Sequence, residues 1–306
     1  MADLSVKISN TIFKNPIFVA SGTFGYGTEN PELVDVSKLG AIVTKSITLN
    51  PREGNPPPRI VETHSGMINS IGLANIGVEK YISDMLPVYE NMDTPIIMNI
   101  AGSSMREYID VMKKVEDVSS NIVGYEINIS CPNVKEGGME FGVDCDMTEK
   151  LTSELRKLTD RLLIMKLSPN VTDISAIAIS SENGGADAVS AINTVVGMSI
   201  NHSSQFSNIY TTFGGLSGPA IKPVGLACVH KVYHRVNIPI IGIGGIVNSD
   251  DVIEYFLAGS CSVQVGTANF RNPGITEIIL HDLNNYLNEK HIDSISSLIG
   301  RVKTHG

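Results

Sequence analysis

The sequence predicts an α/β fold, a (β/α)8 TIM barrel with insertions after its second and sixth strands, on three observations. Eight short apolar, β-branched runs recur along the chain, each bounded by Gly, Pro or polar residues. A longer amphipathic or Ala/Leu-rich segment follows each run, and several of these segments end in glycine before the next run begins, as at Leu39-Gly40, Gly184-Gly185 and Ala258-Gly259. The runs read as continuous apolar stretches, the pattern of parallel strands covered on both faces. An open doubly wound sheet would give the same alternation and stays as the alternative.

The predicted strands are 17–20, 41–45, 96–100, 124–129, 162–167, 188–192, 239–243 and 262–265. The predicted helices are 32–39, 78–89, 104–118, 147–158, 174–182, 224–235, 249–257 and 277–287. Two intervals, from Lys45 to Ile96 and from Ile192 to Pro239, are too long for a loop and one helix. In a barrel the segment after a strand lies on the active-site face, so two insertions there predict a covered pocket. No linker, repeat or low-complexity tract divides the chain, which reads as a single domain over residues 1–306.

Composition narrows the function. Twenty-three Lys and Arg against 32 Asp and Glu give a net charge of -9, so neither nucleic acid nor an anionic membrane is the expected partner, and an anionic substrate requires local lysines. Four Cys without a Cys-x-x-Cys pair argue against a disulfide framework, a zinc ribbon or an iron–sulfur cluster held by this chain alone. The seven histidines form no metal-binding spacing. No apolar run follows a basic start and none approaches about 20 residues, so a soluble cytoplasmic protein is expected.

The polar residues fall at strand ends. Ser21, Lys45, Ser46, Asn99, Asn128, Cys131, Lys166, Asn193, Thr194, Gly244, Gly245, Gly266 and Thr267 lie in or directly after the predicted strands, so a barrel gathers them at one mouth. The glycines after strands seven and eight sit where barrels hold a phosphate; Gly242-Ile243-Gly244-Gly245 taken alone fits a simple tight turn equally well, and the paired Gly266-Thr267-Ala268-Asn269 favours the phosphate. No Gly-x-Gly-x-x-Gly follows a strand, so a Rossmann-type NAD site is not evident. Lys45 and Lys166 each close an apolar run; either could be a solvated strand end, and together they supply positive charge for an anion or a reduced cofactor. Asn69, Asn99, Asn128, Asn133 and Asn193 offer donor and acceptor edges suited to a cyclic imide or a flavin pyrimidine, though single Asn residues commonly serve turns. Cys131 stands on a polar turn and reads as a reactive thiol, whereas Cys228 and Cys261 read as core, and the carboxylates flanking Cys145 disfavour a thiolate there.

The run Asn128-Ile129-Ser130-Cys131-Pro132-Asn133-Val134-Lys135, with Gly137-Gly138 and Phe141-Gly142 after it, resembles the catalytic loop of the soluble dihydroorotate dehydrogenases. Asn69-Ser70-Ile71-Gly72-Leu73, Lys166-Leu167-Ser168-Pro169-Asn170-Val171-Thr172-Asp173, Gly214-Gly215-Leu216-Ser217-Gly218-Pro219 and Ile241-Gly242-Ile243-Gly244-Gly245 resemble the family's other signatures, in order, over nearly the whole chain. The wording is most similar to the catalytic subunit of the NAD-linked, two-subunit type B.

The resemblance implies an enzyme that oxidises (S)-dihydroorotate to orotate in pyrimidine biosynthesis with one FMN at the barrel mouth. It implies FMN contacts from Ser21, Lys45, Ser46, Asn99, Asn128, Lys166, Ile192, Gly218, Gly244, Gly245, Gly266 and Thr267. Substrate contacts are implied for Lys45, Asn69, Ser70, Ile71, Gly72, Leu73, Asn128, Asn133, Asn193 and Thr194. Cys131 is implied as the general base, with Lys45 and Lys166 stabilising charge. Membrane-bound relatives carry Ser at that position behind an N-terminal hydrophobic extension, so Cys131 points to the soluble group. The resemblance further implies a partner subunit with FAD and a [2Fe–2S] cluster, docked on a homodimer to make a heterotetramer. Three other readings remain at this point: the same half-reaction with fumarate as acceptor and no partner, a non-redox phosphosugar isomerase or aldolase barrel, and a barrel that only binds or scaffolds.

Overall fold

Strands whose two faces are both apolar can be covered only by pairing edge to edge and packing helices outside, and the eight predicted runs do this by closing on themselves. The computed structural model describes residues 2–29, 32–130 and 141–305. Its strands, in chain order, are β1 (Val6–Ile8), β2 (Thr11–Phe13), β3 (Ile17–Val19), β4 (Ala41–Val43), β5 (Ile60–Thr63), β6 (Gly66–Asn69), β7 (Ile96–Ile100), β8 (Ile122–Asn128), β9 (Leu162–Leu167), β10 (Ala188–Ala191), β11 (Val195–Gly197), β12 (Gly214–Ser217), β13 (Ile240–Ile243) and β14 (Ser262–Val265). The order β3-β4-β7-β8-β9-β10-β13-β14 forms a closed barrel. Closure runs through the parallel pair β14–β3, where Gln264 faces Phe18, and rules out the open sheet. These are the eight runs expected from the sequence.

Helices cover the outside at Met105–Glu116, Cys145–Arg156, Ile174–Asn183, Lys222–Tyr233, Ser249–Ala258 and Ile275–Glu289. Four of them start where the sequence supplies an N-cap: the side chains of Ser104, Asp144, Asp173 and Asn248 accept from backbone N–H groups of the first turn. The expected helix at 78–89 is present but irregular, with a π turn over Tyr81–Met85 between Val78–Lys80 and Leu86–Tyr89. The expected helix at 32–39 is a correction: among its described residues only Val36–Lys38 form a single 3₁₀ turn. Asp35 accepts from both the backbone N–H and the hydroxyl of Ser37 at 3.1 and 2.6 Å, a local turn that competes with helix beside two β-branched valines.

The two long intervals meet. β5 and β6 from the first insertion and β12 and β11 from the second form one four-stranded antiparallel sheet in the order β11-β12-β6-β5, with Ile68 opposite Leu216. At the other end, the β1–β2 hairpin reaches the start of β10, where Ser9 Oγ donates to Asp187 at 2.9 Å. Phe13 of that hairpin lies 4.8 Å from Phe18, ring centre to ring centre, so the bottom is plugged with apolar side chains. Among the described residues no helix is long and apolar enough to cross a membrane.

The β8–β9 pair leaves no room beside Gly124, where an added Cβ would fall 2.4 Å from the Leu162 carbonyl oxygen and 2.6 Å from its Cβ. Gly124→Ala is therefore expected to destabilise the fold by about 1–3 kcal/mol, read from the midpoint of urea unfolding.

Candidate active site

A parallel barrel aims the C-terminal ends of all its strands at one mouth, and the four-stranded sheet lies over that mouth. Between them is a cavity of about 1080 Å³, above the 300–1000 Å³ range typical of small-ligand sites. Ser21, Lys45, Ser46, Asn128, Lys166, Ile192, Asn193, Thr194, Gly244, Gly245, Gly266 and Thr267 line it from the barrel ends, and Asn69, Ser70, Ile71, Gly72, Leu73 and Gly218 from the insertions. Asn99 differs: it is fully buried and stands back from the wall. Cys131 and Asn133 lie outside the described residues. Ser130 and Gly142, on either side of that segment, both line the cavity.

Buried tyrosines fix the strand ends. Tyr108 donates its hydroxyl to the Asn128 carbonyl at 2.8 Å, and Tyr255 donates to the carbonyls of Ile243 and Gly244 at 3.1 and 2.8 Å. Burial pushes the Tyr255 phenol well above its ordinary value, so it remains a neutral donor. Asn193 Nδ2 donates to Asn128 Oδ1 at 3.2 Å, and Asn170 ties the covering sheet to the barrel by donating to the Thr194 carbonyl at 2.9 Å and accepting from Val196 N at 2.9 Å. The Ser130 hydroxyl donates to the Lys166 carbonyl at 3.2 Å, which anchors the chain immediately before Cys131.

Lys45, Lys166, Arg52 and Arg59 place four cations on the wall of a chain whose net charge is -9. Their partners differ. Lys166 is paired with Glu126 at 3.2 Å, and Arg52 with Glu107 at 3.0 Å, whereas the Lys45 ammonium has no carboxylate partner among the described residues. An unpaired cation in a half-covered cavity favours an anionic ligand. Ser70 lines the same cavity, and its Oγ is buried without a hydrogen-bond partner among the described residues.

The donor set also suits a flavin nucleotide. Gly245 has φ +70°, and a Cβ there would meet Gly218 O and Lys222 N at 2.9 and 2.8 Å, so only glycine lets the turn after β13 pack against the Gly218–Lys222 segment on the cavity wall. A Cβ on Gly266 would meet nothing nearer than Ala20 Cβ at 3.6 Å, so that side of the pocket is open to a ligand. Ser21, Ser46, Lys166 and Thr267 add side-chain donors to the same wall. Cys228 and Cys261 stand elsewhere, and burial raises both thiols, Cys261 to about 12, as their core reading requires. Cys145 opens the helix Cys145–Arg156 behind its Asp144 cap.

Several contributors were not picked out in the sequence. Arg52, Asn55, Arg59, Ser168 and Asn170 reach the wall, and Glu126, Ser190 and Gln264 sit beneath it. Glu126 carried a signal: it lies two residues before Asn128 on an otherwise apolar run and so shares the inward face of the strand.

Fold and site together define a (β/α)8 barrel with a covered, cation-lined cavity at the C-terminal mouth of its strands. A model of the dihydroorotate dehydrogenase family matches residues 3–287. Proteins called dihydroorotate dehydrogenase B (NAD(+)), catalytic subunit, from Geotalea daltonii, Desulforamulus reducens and Caldicellulosiruptor bescii are 46%, 48% and 46% identical to this chain, covering 98%, 97% and 98% of it and 98%, 98% and 99% of their own lengths. A crystal structure of dihydroorotate dehydrogenase from Eimeria tenella in complex with ferulenol shares the fold with a TM-score of 0.81 at 24% identity, over 98% of this chain and 88% of that one. The chain belongs to the dihydroorotate dehydrogenase family.

Glu107 braces the loop that carries Arg52. Its partial burial raises the carboxyl, but hydrogen bonds from the Ser103 side chain and backbone, with the Arg52 guanidinium beside it, outweigh that and hold it below the usual carboxylate range. Its contribution to stability is then present above the unfolded value of about 4.3 and lost as pH falls through the lower folded value. Glu107→Gln should unfold at lower temperature than the parent at pH 7, and the gap should close as pH drops below about 4, measured by thermal melts across pH.

Proposed function

We propose that this chain is the FMN-binding catalytic subunit of a cytoplasmic, NAD-linked dihydroorotate dehydrogenase, one barrel domain over residues 1–306 that oxidises (S)-dihydroorotate to orotate in pyrimidine biosynthesis. The observation that carries the reading is the covered cavity onto which a chain of this family brings Lys45, Lys166, the Asn69–Leu73 segment, the Asn128–Asn193 pair and the glycines after β13 and β14. FMN, when bound, supplies the acceptor for the hydride leaving C6 of the substrate.

The chain's own residues do the rest. Gly244, Gly245, Gly266 and Thr267 would hold the phosphate end, with Ser21, Ser46, Asn128, Lys166, Ile192 and Gly218 along the rest of the cofactor. The free ammonium of Lys45 would pair with the substrate carboxylate, and the amides of Asn69, Asn128, Asn133 and Asn193, with Ser70 Oγ and Thr194, would orient the dihydropyrimidine ring. Cys131 Sγ would take the C5 proton as general base. A thiol of ordinary pKa, about 8.5, is mostly protonated at neutral pH, so turnover should rise toward mild alkali. Lys166 would offset the negative charge left on the ring system after hydride transfer. Electrons would pass to NAD+ through a partner subunit holding FAD and a [2Fe–2S] cluster, on a homodimeric core of these chains. The type B names of the relatives support that route, as does the lack of a dinucleotide fingerprint or paired cysteines in this sequence.

The test is anaerobic. The purified chain should be yellow, bleach on adding dihydroorotate, and recolour with NAD+ only when the flavin–iron–sulfur subunit is present. A bound flavin that dihydroorotate leaves oxidised would refute the activity, and rapid recolouring of the lone chain by fumarate would replace the NAD assignment. In stopped flow, Cys131→Ala should keep FMN yet slow flavin reduction by about 10²-fold or more, and Cys131→Ser should be slow with a steeper rise at high pH. Gly266→Val should melt with the parent but bind FMN at least tenfold more weakly by fluorescence titration, because the added side chain fills cavity rather than protein.

A further inference from the structure

Beneath the cavity floor lies a charged group that the proposed chemistry does not use. Glu126 on β8 is fully buried, and both its oxygens are filled with donors from neighbouring strands. Oε1 accepts from Asn99 Nδ2 of β7 at 2.7 Å and from Lys166 Nζ of β9 at 3.2 Å; Oε2 accepts from Ser190 Oγ of β10 at 2.8 Å and from Gln264 Nε2 of β14 at 2.6 Å. Every contact is one the carboxylate accepts, so no proton is needed on either oxygen. Of these five residues only Lys166 reaches the cavity wall.

Barrel interiors are usually filled with branched aliphatic side chains, and a buried ion pair is seldom more stable than an apolar replacement of the same volume. A five-strand polar knot around one carboxylate therefore calls for a role other than stability. Its geometry supplies one. Lys166 is held from below by a full negative charge that cannot swing away, because each of its oxygens is bound twice. The positive charge that Lys166 presents to the cavity is thereby fixed in place and largely cancelled.

We infer that Glu126 is a positioning residue that sets the reduction potential of the bound flavin by compensating the charge of Lys166, an inference that rests on the FMN reading above. Two-electron reduction of a flavin with uptake of one proton leaves one net negative charge on the ring, so a cation nearby favours the reduced form and a partner carboxylate moderates it. Asn99 belongs to the same knot, where its Nδ2 donates to Glu126.

The experiment is a spectroscopic redox titration of the FMN-loaded chain at pH 7 against a reference dye. Glu126→Gln keeps the shape and removes the charge. The ratio of reduced to oxidised FMN at a given potential should rise at least tenfold, about 30 mV for a two-electron couple. In a Lys166→Met background the same substitution should change that ratio by less than threefold. A merely structural role predicts no change in potential, and an unchanged or lowered potential in Glu126→Gln, or an undiminished shift without Lys166, overturns the inference. Ser190→Ala keeps the charge and strips one donor from it, so it should move the ratio the other way, by about threefold. If Glu126→Gln does not fold, Ser190→Ala decides: a fall supports the inference, and no change or a rise overturns it. A parent chain that binds no FMN sinks the function and this inference together, whereas a parent bleached by dihydroorotate beside variants of unmoved potential sinks this inference alone.

Discussion

Closing eight parallel strands through the β14–β3 pair is the constraint from which the site follows. Gln264 near the end of the chain and Phe18 near its start become neighbours, and every strand delivers its C-terminal residue to the same opening. Once the ring is closed, alternate side chains of each strand must point inward, so Asn99, Glu126, Lys166, Ser190 and Gln264 share a small interior space, where the other four donate to Glu126. The same closure frees the segments after β4 and β10 to rise over the mouth. Their pairing, β6 against β12, turns an open rim into a roofed cavity.

Electrostatics in the covered space follow from which cations are paired. Lys166 and Arg52 each face a carboxylate, so their charges are largely internal to the protein, while Lys45 and Arg59 have no carboxylate partner among the described residues. In a site screened from bulk water by a sheet, cations without a carboxylate beside them discriminate strongly between anions and neutral molecules. Fixed donors add direction to that attraction. The Asn128–Asn193 pair and the tyrosine-anchored ends of β8 and β13 are held by the protein's own hydrogen bonds, which fixes where those groups point.

Much of this was legible in the amino-acid sequence because parallel strands buried on both faces and glycine-ended helices leave local marks. All eight barrel runs and the two insertions could be placed, and so could the polar strand ends that line the cavity. The resemblance at Asn128–Lys135 and at Asn69–Leu73 named a reaction that spacing alone could not. What escaped was non-local. The pairing of Ile68 with Leu216 depends on two distant insertions meeting in space, and nothing near either residue announces the other. The expected helix at 32–39 yielded to an Asp35–Ser37 turn whose weight against helix propensity is a matter of small local energies. Asn99 fell in the right strand, but its depth below the floor depends on barrel stagger, which the run of residues does not encode. Glu126 was visible as a charge inside an apolar run, and only the closed ring reveals its four donors.

The central claim is that a flavin and a dihydropyrimidine share the one cavity, with the thiol of Cys131 on the substrate face away from the flavin. A crystal structure of the chain grown with FMN and orotate tests it most directly. The account predicts both molecules stacked within the space bounded by Lys45, Asn128, Lys166 and Asn193, with Cys131 Sγ against the pyrimidine ring. Orotate bound elsewhere, or a sulfur turned into the apolar interior with both molecules in place, would contradict it.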